Sequence, residues 1–329
     1  MAILTCMGEL IVDFIPLDRE KGLLNSSDFR PAPGGAPANV AAGFSKLGGR
    51  AAVISKVGRD PFGEFLIGRL NDANVDTSMI GATEKALTGL AFAFENETGE
   101  NEFILYRNPS ADMLISEKEI DPASIEKTQI FHFGSISLAA EPSRRATLLA
   151  ARTAAENNKT VSFDPNLRPA AWTTPEQARG AILEGLQLAT ILKVSLSELM
   201  FIIPGNKAAP ENQCQALLEN YPRLKLVAVT EAEKGSIICT GHRIVKAPPY
   251  PVKSVDATGA GDAYTAALLF MIYQRLLKNN EGIAEWNQPD RFWKELGRFA
   301  NIAGALVTTR HGGIPAMPAY SEVIDAVKR

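Results

Sequence analysis

Cysteine, histidine and long apolar runs are all scarce in this sequence of 329 residues. The three cysteines are widely separated and odd in number, so they predict neither a disulfide framework nor a metal site with thiolate ligands. Three histidines are too few for a site built from several imidazoles. This use of cysteine fits the reducing environment of the cytoplasm.

The sequence also has no apolar run of membrane-spanning length and no excess of positive charge. Its longest apolar stretch, residues 266–273, is far shorter than the ~20 residues of a membrane-spanning helix. The N-terminal apolar run contains Glu9 and Asp13 and no basic segment, unlike a signal peptide. With 34 basic and 37 acidic residues, no basic face is expected for a nucleic acid or an anionic membrane. We expect a cytoplasmic protein with small-molecule partners.

Common nucleotide-binding motifs are missing as well. No G-x-x-x-x-G-K-[ST] sequence occurs, and the first predicted strand is not followed by G-x-G-x-x-G. The H-R-D and D-F-G elements of protein kinases are also absent from the sequence. A phosphotransferase with this sequence would therefore belong to another design.

Strand-like and helix-like segments alternate along most of the chain. The predicted buried strands are ILTCMGELIVDF, RAAVISKVG, IFHFGSISL, TVSFDP, TILKVS and LKLVAVT. Predicted helices between them include 142–157, 175–189 and 210–220. Strands that alternate with helices imply crossover units and a parallel sheet covered on both faces.

Two segments interrupt this alternation, at about residues 11–33 and 87–110. The second contains GLAFAFENETGENEFILYRN, whose alternation around Thr98-Gly99 is typical of an antiparallel hairpin. We expect both segments to form a small sheet that acts as a lid over the strand ends, where open α/β sheets bind ligands. The side chains expected to form one apolar face of the hairpin are those of Phe92, Phe94 and Leu105.

The strongest motif is DATGAGD, which precedes the apolar, helix-like run AYTAALLFMIYQRLL. A helix that starts after glycines leaves backbone N–H groups unpaired, and its dipole adds partial positive charge. Gly259, Ala260 and Gly261 therefore predict an anion pocket suited to a phosphoryl group. Asp262, at its mouth, could take a proton from a substrate hydroxyl. A capped buried helix with Asp262 as a first-turn acid is the alternative.

A second group of residues opens the first long predicted helix. Gly34 and Gly35 allow a backbone to approach a ligand closely, and the amide of Asn39 can both donate to and accept from sugar hydroxyls. Asp13, at the end of the first predicted strand, would be a hydroxyl acceptor in the same pocket. The alternative is a purely structural role for each residue. Gly34 and Gly35 would then form a tight turn, Asn39 would be a local cap, and Asp13 would be a turn acid.

GGAPANVAAGFSKLG and DATGAGD together resemble the paired signatures of the ribokinase-like (phosphofructokinase-B) sugar kinases. The resemblance extends over essentially the whole chain, and YRNPSAD, DPNLR and KVSLSE are most similar to fructokinases. It implies a single ribokinase-like α/β domain over residues 1–329. A largely parallel central sheet would be flanked by helices and accompanied by a small β-sheet lid.

The resemblance also implies an ATP-dependent sugar kinase that phosphorylates a primary hydroxyl, with D-fructose converted to fructose 6-phosphate and Mg²⁺ bridging the phosphates. One alternative is a kinase for 2-keto-3-deoxygluconate or another ketose, since Arg107 and Arg168 could bind a substrate carboxylate. Another is a catalytically silent ligand-binding homologue. The exposed edges of a lid sheet could pair between subunits, so a homodimer is a further expectation.

Site residues follow from the same resemblance. Asp262 would be the general base, and Gly259, Ala260 and Gly261 would form the anion hole. Substrate contacts are expected from Asp13, Gly34, Gly35, Asn39, Arg107, Asn166 and Arg168. Nucleotide contacts are expected from Lys193, Ser195, Glu198, Thr230, Gly235 and Asn301. Glu198 would order the water shell of Mg²⁺, and Asp256 and Thr258 would help to bind a monovalent cation such as K⁺.

Several of these residues could instead have a purely structural role. Arg107 and Arg168 could form exposed salt bridges, and Glu198 could be a helix-start acid. Three positions depart from the family pattern, namely Ala257, Ser195 and Ala232. Ala232 replaces the middle glycine of the nucleotide loop, and an alanine would be strained there if the position requires positive φ.

Overall fold

The computed structural model describes residues 2–17, 22–95, 101–205, 208–278 and 286–328. The strands are β1 (Leu4–Met7), β2 (Ile11–Pro16), β3 (Phe29–Gly34), β4 (Ala51–Gly58), β5 (Ile80–Thr83), β6 (Gly89–Glu95), β7 (Asn101–Tyr106), β8 (Ile130–Gly134), β9 (Thr160–Asp164), β10 (Ile191–Ser195), β11 (Leu226–Thr230), β12 (Ser236–Thr240) and β13 (Ile244–Ala247). The helices are α1 (Gly22–Asn25), α2 (Ala36–Lys46), α3 (Pro61–Asp72), α4 (Pro122–Glu126), α5 (Ser143–Glu156), α6 (Pro175–Leu186), α7 (Leu196–Ile202), α8 (Pro210–Asn220), α9 (Ala260–Ile272), α10 (Asp290–Val307) and α11 (Tyr320–Val327).

Most of the strands belong to one nine-stranded sheet in the order β13-β12-β11-β10-β9-β8-β1-β4-β5. Its strands run parallel except at one edge, where β12 and β13 are antiparallel to their neighbours. All eight residues of β4 are buried, as expected for a strand covered on both faces. The predicted α/β class with a largely parallel sheet is confirmed.

Helices cover both faces of this sheet and give it two apolar cores. One core contains buried side chains of α2, α9 and α10, among them Phe44 and Trp293. The other contains a group of phenylalanines on the opposite face, including Phe131, Phe133 and Phe163. The helix predicted after DATGAGD is α9, which is buried over most of its length. Of the described helices, none is long and apolar enough to cross a membrane.

The first predicted strand is wrong in one respect, because ILTCMGELIVDF forms two strands in two different sheets. β1 ends at Met7 after pairing with β4 and β8, whereas β2 begins at Ile11 and pairs with β3 and β6. Asp13 therefore lies inside β2 rather than at the end of the first strand. Both strands are buried, so an apolar run could not reveal the break between them.

The small sheet has four strands in the order β3-β2-β6-β7. Its strands come from the two segments 11–33 and 87–110, and β6 and β7 pair antiparallel. The predicted turn at Thr98-Gly99 lies outside the described residues. The small separate sheet is confirmed, and its action as a lid remains a prediction.

The register of the hairpin corrects the expected apolar face. Phe92 pairs with Ile104, whereas Leu105 pairs with Ala91. Directly opposite residues share a face of an antiparallel pair, so Leu105 lies on the face opposite to that of Phe92. The ring of Phe92 stacks on that of Phe14, with 5.3 Å between the ring centroids.

Candidate active site

The predicted site residues converge on a cavity of about 260 Å³ between the small sheet, the first turns of α2 and α9, the loop that follows β9, and Lys193 of β10. The predicted residues that line it are Asp13, Gly35, Asn39, Asn166, Arg168, Lys193, Thr258, Gly259, Ala260, Gly261 and Asp262. The cavity thus lies at the carboxyl ends of parallel strands, where ligands bind in open α/β sheets.

Asp262 occupies the first turn of α9 and is held from two directions. Its Oδ2 accepts a hydrogen bond from Nδ2 of Asn39 at 2.8 Å, and its Oδ1 accepts one from Nδ2 of Asn166 at 3.3 Å. Asn166 has a φ of 43°, a left-handed conformation that asparagine tolerates better than most residues. The two amides fix the orientation of the carboxylate.

The basicity of Asp262 is also unusual. Burial raises the pKa of its carboxyl to about 6, the hydrogen bond from Asn39 opposes that rise, and the charge of Asp164 adds to it. A carboxylate with such a pKa is ionised at neutral pH and is more basic than an ordinary aspartate. Asp262 can therefore accept a proton in the cavity.

The start of α9 lines the cavity beside Asp262, at the position of the predicted anion pocket. Gly259 precedes the helix in a left-handed conformation with φ of 80°, which glycine adopts without strain. A Cβ atom at Gly261 would lie 2.8 Å from Nζ of Lys193, so glycine makes room for the ammonium group at the helix start. Helix dipole and ammonium group thus place positive charge on the same side of the cavity.

Lys193 is charged and firmly placed by a carboxylate that the sequence analysis did not assign. Its Nζ lies 3.0 Å from Oδ2 of Asp164, which also accepts a hydrogen bond from Oγ1 of Thr265 at 3.2 Å. Burial disfavours the charged ammonium, but the negative charges of Asp164 and Glu198 outweigh it, so the pKa of Lys193 is raised. Asp164 is the first residue of the DPNLR segment, so the sequence could have indicated it as a site residue. No local sequence pattern indicated Thr265.

Asp13 faces the cavity from the small sheet. A Cβ atom at Gly34 would lie 2.3 Å from Oδ2 of Asp13, so Gly34 makes room for this carboxylate and is not itself among the lining residues described. Burial raises the pKa of Asp13 to about 7, although the positive charge of Arg168 opposes the rise. Asp13 and Arg168 thus give the cavity a carboxylate and a guanidinium.

The structure places Arg107 differently from the expected substrate contact. Its guanidinium is buried and forms a salt bridge with Asp112, whose other oxygen accepts a hydrogen bond from Ser110. Arg107 is not among the described residues that line the cavity. The alternative of an exposed salt bridge is wrong as well, because the Arg107 side chain is only 6% exposed.

Ser195 and Glu198 form a capping box at the start of α7. The Ser195 side chain accepts the N–H of Glu198, and Oε2 of Glu198 accepts the N–H of Ser195 at 2.7 Å. The other carboxylate oxygen of Glu198 accepts the N–H of Leu167 at 2.7 Å. Glu198 therefore acts locally as a helix-start acid and joins the DPNLR loop to α7.

The remaining nucleotide candidates lie outside the described cavity lining, around the end of β11. The Nδ2 of Asn301 donates to the carbonyl oxygens of Ala247 and Pro248, at 3.1 and 2.8 Å. A Cβ atom at Gly235 would lie 2.2 Å from the carbonyl oxygen of Ala247. Thr230 is the last residue of β11, and its hydroxyl lies 3.5 Å from the carbonyl oxygen of Val194.

Ala232 has a φ of 49° in the loop between Thr230 and Gly235. The loop thus keeps a left-handed conformation at the position of the missing glycine. An alanine in this conformation is strained. The strain expected of an alanine at a position of positive φ is therefore present in this loop.

Asp256 is buried behind the anion pocket. Its Oδ1 accepts the N–H of Thr258, and its Oδ2 accepts the N–H of Gly312, both at 3.0 Å. The carboxylate therefore ties the DATGAGD loop to the loop that follows α10. Thr258 itself lines the cavity.

Glu9 also lines the cavity and was not predicted as a site residue. It lies two residues after the end of β1, and an acid close to the end of an apolar strand was the only local signal. Among the polar side chains described at the site, Glu9, Asp164 and Thr265 are those that sequence reasoning missed.

Known proteins resemble this chain over nearly its whole length. The family model described as pfkB family carbohydrate kinase matches residues 1–319. This chain belongs to the pfkB family of carbohydrate kinases. It is 42% identical over 321 residues to a protein named "Probable fructokinase-2" from Arabidopsis thaliana, a match that covers 98% of this chain and 94% of the relative.

Solved structures of fructokinases are also similar to this chain over nearly its whole length. A fructokinase from Xylella fastidiosa with bound ATP is 32% identical, with a TM-score of 0.89 and coverage of 100% of this chain and 99% of the other. A double mutant of a fructokinase from Vibrio cholerae, bound to fructose, ADP and a potassium ion, is 30% identical with a TM-score of 0.85. That match covers 99% of this chain and 98% of the other. The ribokinase-like fold is thereby confirmed.

Proposed function

We propose that this kinase phosphorylates the primary hydroxyl of D-fructose with ATP to give fructose 6-phosphate. The observation that carries the proposal is the placement of Asp262, held by Asn39 and Asn166 at the start of α9, beside the helix-start amides and Lys193. Relatives named fructokinases, including one solved with fructose and ADP, support the choice of sugar.

The proposed chemistry follows from these positions. A sugar hydroxyl that points at Asp262 gives its proton to the carboxylate as its oxygen forms the bond to the γ-phosphorus and the bond from phosphorus to the leaving ADP oxygen breaks. Gly259, Ala260 and Gly261 present the helix N-terminus to the negative charge on the transferring group. Lys193 adds a fixed positive charge on the same side.

A neutral sugar suits the cavity better than a sugar acid. Arg107 is already paired with Asp112, so its charge is balanced before any substrate binds. The charge of Arg168 acts on both Asp13 and Asp262. A substrate carboxylate would therefore meet two aspartates close to the one guanidinium in the described lining, which disfavours 2-keto-3-deoxygluconate.

ATP and Mg²⁺ are the proposed cofactors. Among the described residues, no group of three or more side chains is suited to hold a metal ion directly. Both oxygens of Glu198 already accept backbone N–H groups, so this carboxylate fits the outer, water-mediated contact that Mg²⁺ commonly makes. When bound, Mg²⁺ would neutralise charge on the nucleotide phosphates. Ser195, Thr230, Gly235 and Asn301 are proposed to contact the nucleotide.

A monovalent cation is proposed near Asp256 and Thr258. Asp256 is a buried carboxylate close to the anion pocket, and a cation beside it would balance its charge and strengthen the field of the pocket. K⁺ should therefore raise kcat above the value in an equal concentration of tetramethylammonium. Equal rates in the two salts would leave Asp256 with only its role in the turn.

We also propose that the small sheet is a lid and the contact surface of a homodimer. The face that carries Phe14 and Phe92 also carries Ile104 and Tyr106, which are 41% and 62% exposed. A second copy would cover these apolar side chains. Sedimentation of the protein as a monomer at micromolar concentration would exclude this dimer.

The remaining proposals concern surroundings and partners. The three cysteines are free and buried, which supports a reducing compartment such as the cytoplasm. The balanced charge of the chain supports a sugar and ATP as partners rather than a nucleic acid or a membrane surface.

A coupled assay of ADP release tests the proposed function. The values of kcat/KM should be highest for D-fructose in a comparison with ribose, adenosine and 2-keto-3-deoxygluconate. A preference for 2-keto-3-deoxygluconate would show that Arg168 recognises a carboxylate. Absence of turnover with every sugar would favour a silent homologue.

A further inference from the structure

Glu9 lies where the chain passes from one sheet to the other. It is in the short connection between Met7, the last residue of β1 in the main sheet, and Ile11, the first residue of β2 in the small sheet. Its side chain is almost fully buried, and its Oε1 accepts the backbone N–H of Ala36 at 2.8 Å. Ala36 is the first residue of α2.

The contact supplies a cap that α2 does not have from its own sequence. The N-cap residue is Gly35, with a φ of 106° and no side chain to accept a hydrogen bond. The first N–H groups of a helix need an external acceptor, and a carboxylate is well suited to the positive end of the dipole. Glu9 provides that acceptor from 27 residues away in the sequence.

Glycine at position 35 makes this approach feasible. A Cβ atom there would lie 2.2 Å from the carbonyl oxygen of Glu9, a distance that no side chain could occupy. The connection between the sheets and the start of α2 are therefore in direct contact through both backbone and side chain. A shift of one would move the other.

The first turn of α2 in turn determines the position of the proposed base. The backbone N–H of Asn39 donates to the carbonyl oxygen of Gly35 at 2.9 Å, and its side chain donates to Asp262 at 2.8 Å. Hydrogen bonds thus connect Glu9, the start of α2 and Asp262 in one chain of contacts.

We propose that Glu9 is a positioning residue for phosphoryl transfer, which caps α2 from the connection between the sheets and so holds Asn39 against Asp262. The inference rests on the proposed function of Asp262, and it concerns a residue to which neither the sequence nor the comparisons assign a role. Its mechanism is the placement of α2, without a contact between Glu9 and the reacting atoms.

The capping bond requires an acceptor and does not require a charge. Burial raises the pKa of Glu9 to about 7, with Arg107 and the Ala36 amide opposing the rise and Asp112 adding to it. The second carboxyl oxygen, Oε2, is buried and has no hydrogen-bond partner among the described residues. A neutral glutamine keeps one acceptor oxygen, so it should be able to make the same capping hydrogen bond to Ala36.

Four single variants of the full chain test this inference. Glu9→Ala removes the acceptor, and Glu9→Gln keeps it. Ala36→Pro removes the donor and also places the proline ring against the Glu9 carboxylate, a contact that the double variant relieves. Thr174→Ala is the matched control, because it removes the side-chain cap of α6, which accepts the N–H of Gln177 at 3.2 Å. Each variant is compared with the wild type for thermal stability, for kcat and KM, and for the pH dependence of kcat.

Glu9→Ala and Ala36→Pro should each lower kcat at least tenfold, whereas Glu9→Gln and Thr174→Ala should stay within about threefold of the wild type. Because the hydrogen bond from Asn39 lowers the pKa of Asp262, loosening Asn39 should move the acid limb of kcat to higher pH by about half a unit or more. A merely destabilised protein would keep that limb in place. The double variant Glu9→Ala/Ala36→Pro should have a kcat no lower than that of either single variant, since the two substitutions remove the same hydrogen bond.

Three results would overturn the inference: a normal acid limb in Glu9→Ala, equal impairment of Glu9→Gln and Glu9→Ala, or additive effects in the double variant. If Glu9→Ala does not fold, Ala36→Pro and Glu9→Gln still decide between the outcomes. An NMR titration of the Asp262 side-chain carbon reads the same pKa without any substrate. A shift there in Glu9→Ala would uphold the positioning role even if the wild type phosphorylated no sugar, in which case only the proposed function would fail.

Discussion

Asn39 donates a hydrogen bond to Asp262 at 2.8 Å, although the two residues are 223 positions apart in the chain. Each belongs to the first turn of a helix, α2 or α9, and the two helices lie side by side in one core. The bond joins the residues proposed to bind the sugar to those proposed to act on the phosphoryl group. It orients a carboxylate whose burial would otherwise make it hard to ionise.

The first prediction concerns the proposed base. Asp262→Asn keeps the shape of the side chain but removes the oxygen that accepts the proton, so kcat should fall by at least ~10². ATP and fructose should still bind within roughly tenfold of the wild-type affinity. The measurements are steady-state kinetics and calorimetric titration with each ligand. Normal turnover by a folded variant would mean that another residue accepts the proton.

The second prediction concerns pH and stability at Asp13. Its pKa is about 7 in the folded protein, against an ordinary value of 3.8, so the folded state holds a proton that the unfolded state has lost between these values. The contribution of this group to stability therefore decreases as pH rises towards 7. Asp13→Asn should remove that loss, which is on the order of 2 kcal/mol between pH 5 and 8.

The same variant should bind sugar poorly, because the amide cannot replace a carboxylate as an acceptor of two hydroxyl groups. We expect the KM for fructose to rise at least tenfold with a smaller change in kcat. Urea unfolding at both pH values and sugar kinetics measure the two effects. A variant that gains no stability at pH 8 would show that Arg168 compensates the buried charge.

The third prediction separates structure from function in the pair Lys193 and Asp164. Lys193→Met leaves Asp164 buried without its cation and should lower the free energy of unfolding by about 3–5 kcal/mol. Lys193→Met combined with Asp164→Asn should recover most of that stability. Activity should remain at least ~10² below the wild type in both variants, since the positive charge beside the anion pocket is gone. Recovery of activity in the double variant would assign Lys193 a purely structural role.

The fourth prediction concerns the strained alanine of the loop between Thr230 and Gly235. Ala232→Gly should raise the free energy of unfolding by about 0.5–1 kcal/mol, because the relief of strain exceeds the entropy that glycine adds to the unfolded chain. Gly235→Ala is the opposite control. Its φ is 93° and its Cβ would meet the Ala247 carbonyl oxygen at 2.2 Å, so it should lower stability by more than about 1 kcal/mol. Chemical unfolding of both variants provides the comparison, and no gain in Ala232→Gly would show that the loop relaxes in another way.

The fifth prediction concerns the small sheet. If it closes over the sugar, amide hydrogen exchange in residues 88–95 and 101–108 should slow when fructose binds. ATP alone should have a smaller effect on these residues, since the proposed nucleotide contacts lie near β11. Equal exchange with and without fructose would leave the small sheet as a fixed wall of the cavity.

Three features could be predicted from the amino-acid sequence: the alternation of strands and helices, the two helix starts with their glycines, and the position of Asp262 in the first turn of α9. These features depend on neighbours a few residues apart, because turns, caps and helix starts are local in the chain. The two signatures also predicted that α2 and α9 share one site. The bond between Asn39 and Asp262 fits that prediction.

The assignment of strands to sheets and the pairing of charges depend instead on contacts between distant parts of the chain. β1 pairs with β4 in the main sheet, whereas β2 pairs with β3 in the small sheet. The chain therefore changes sheets between Met7 and Ile11, although the apolar pattern of the sequence continues unbroken. Arg107 is buried against Asp112, and Glu9 reaches Ala36 from another element. Hydrophobic periodicity records how deeply a residue is buried, whereas the partner of a buried charge or a free N–H depends on segments that only folding brings together.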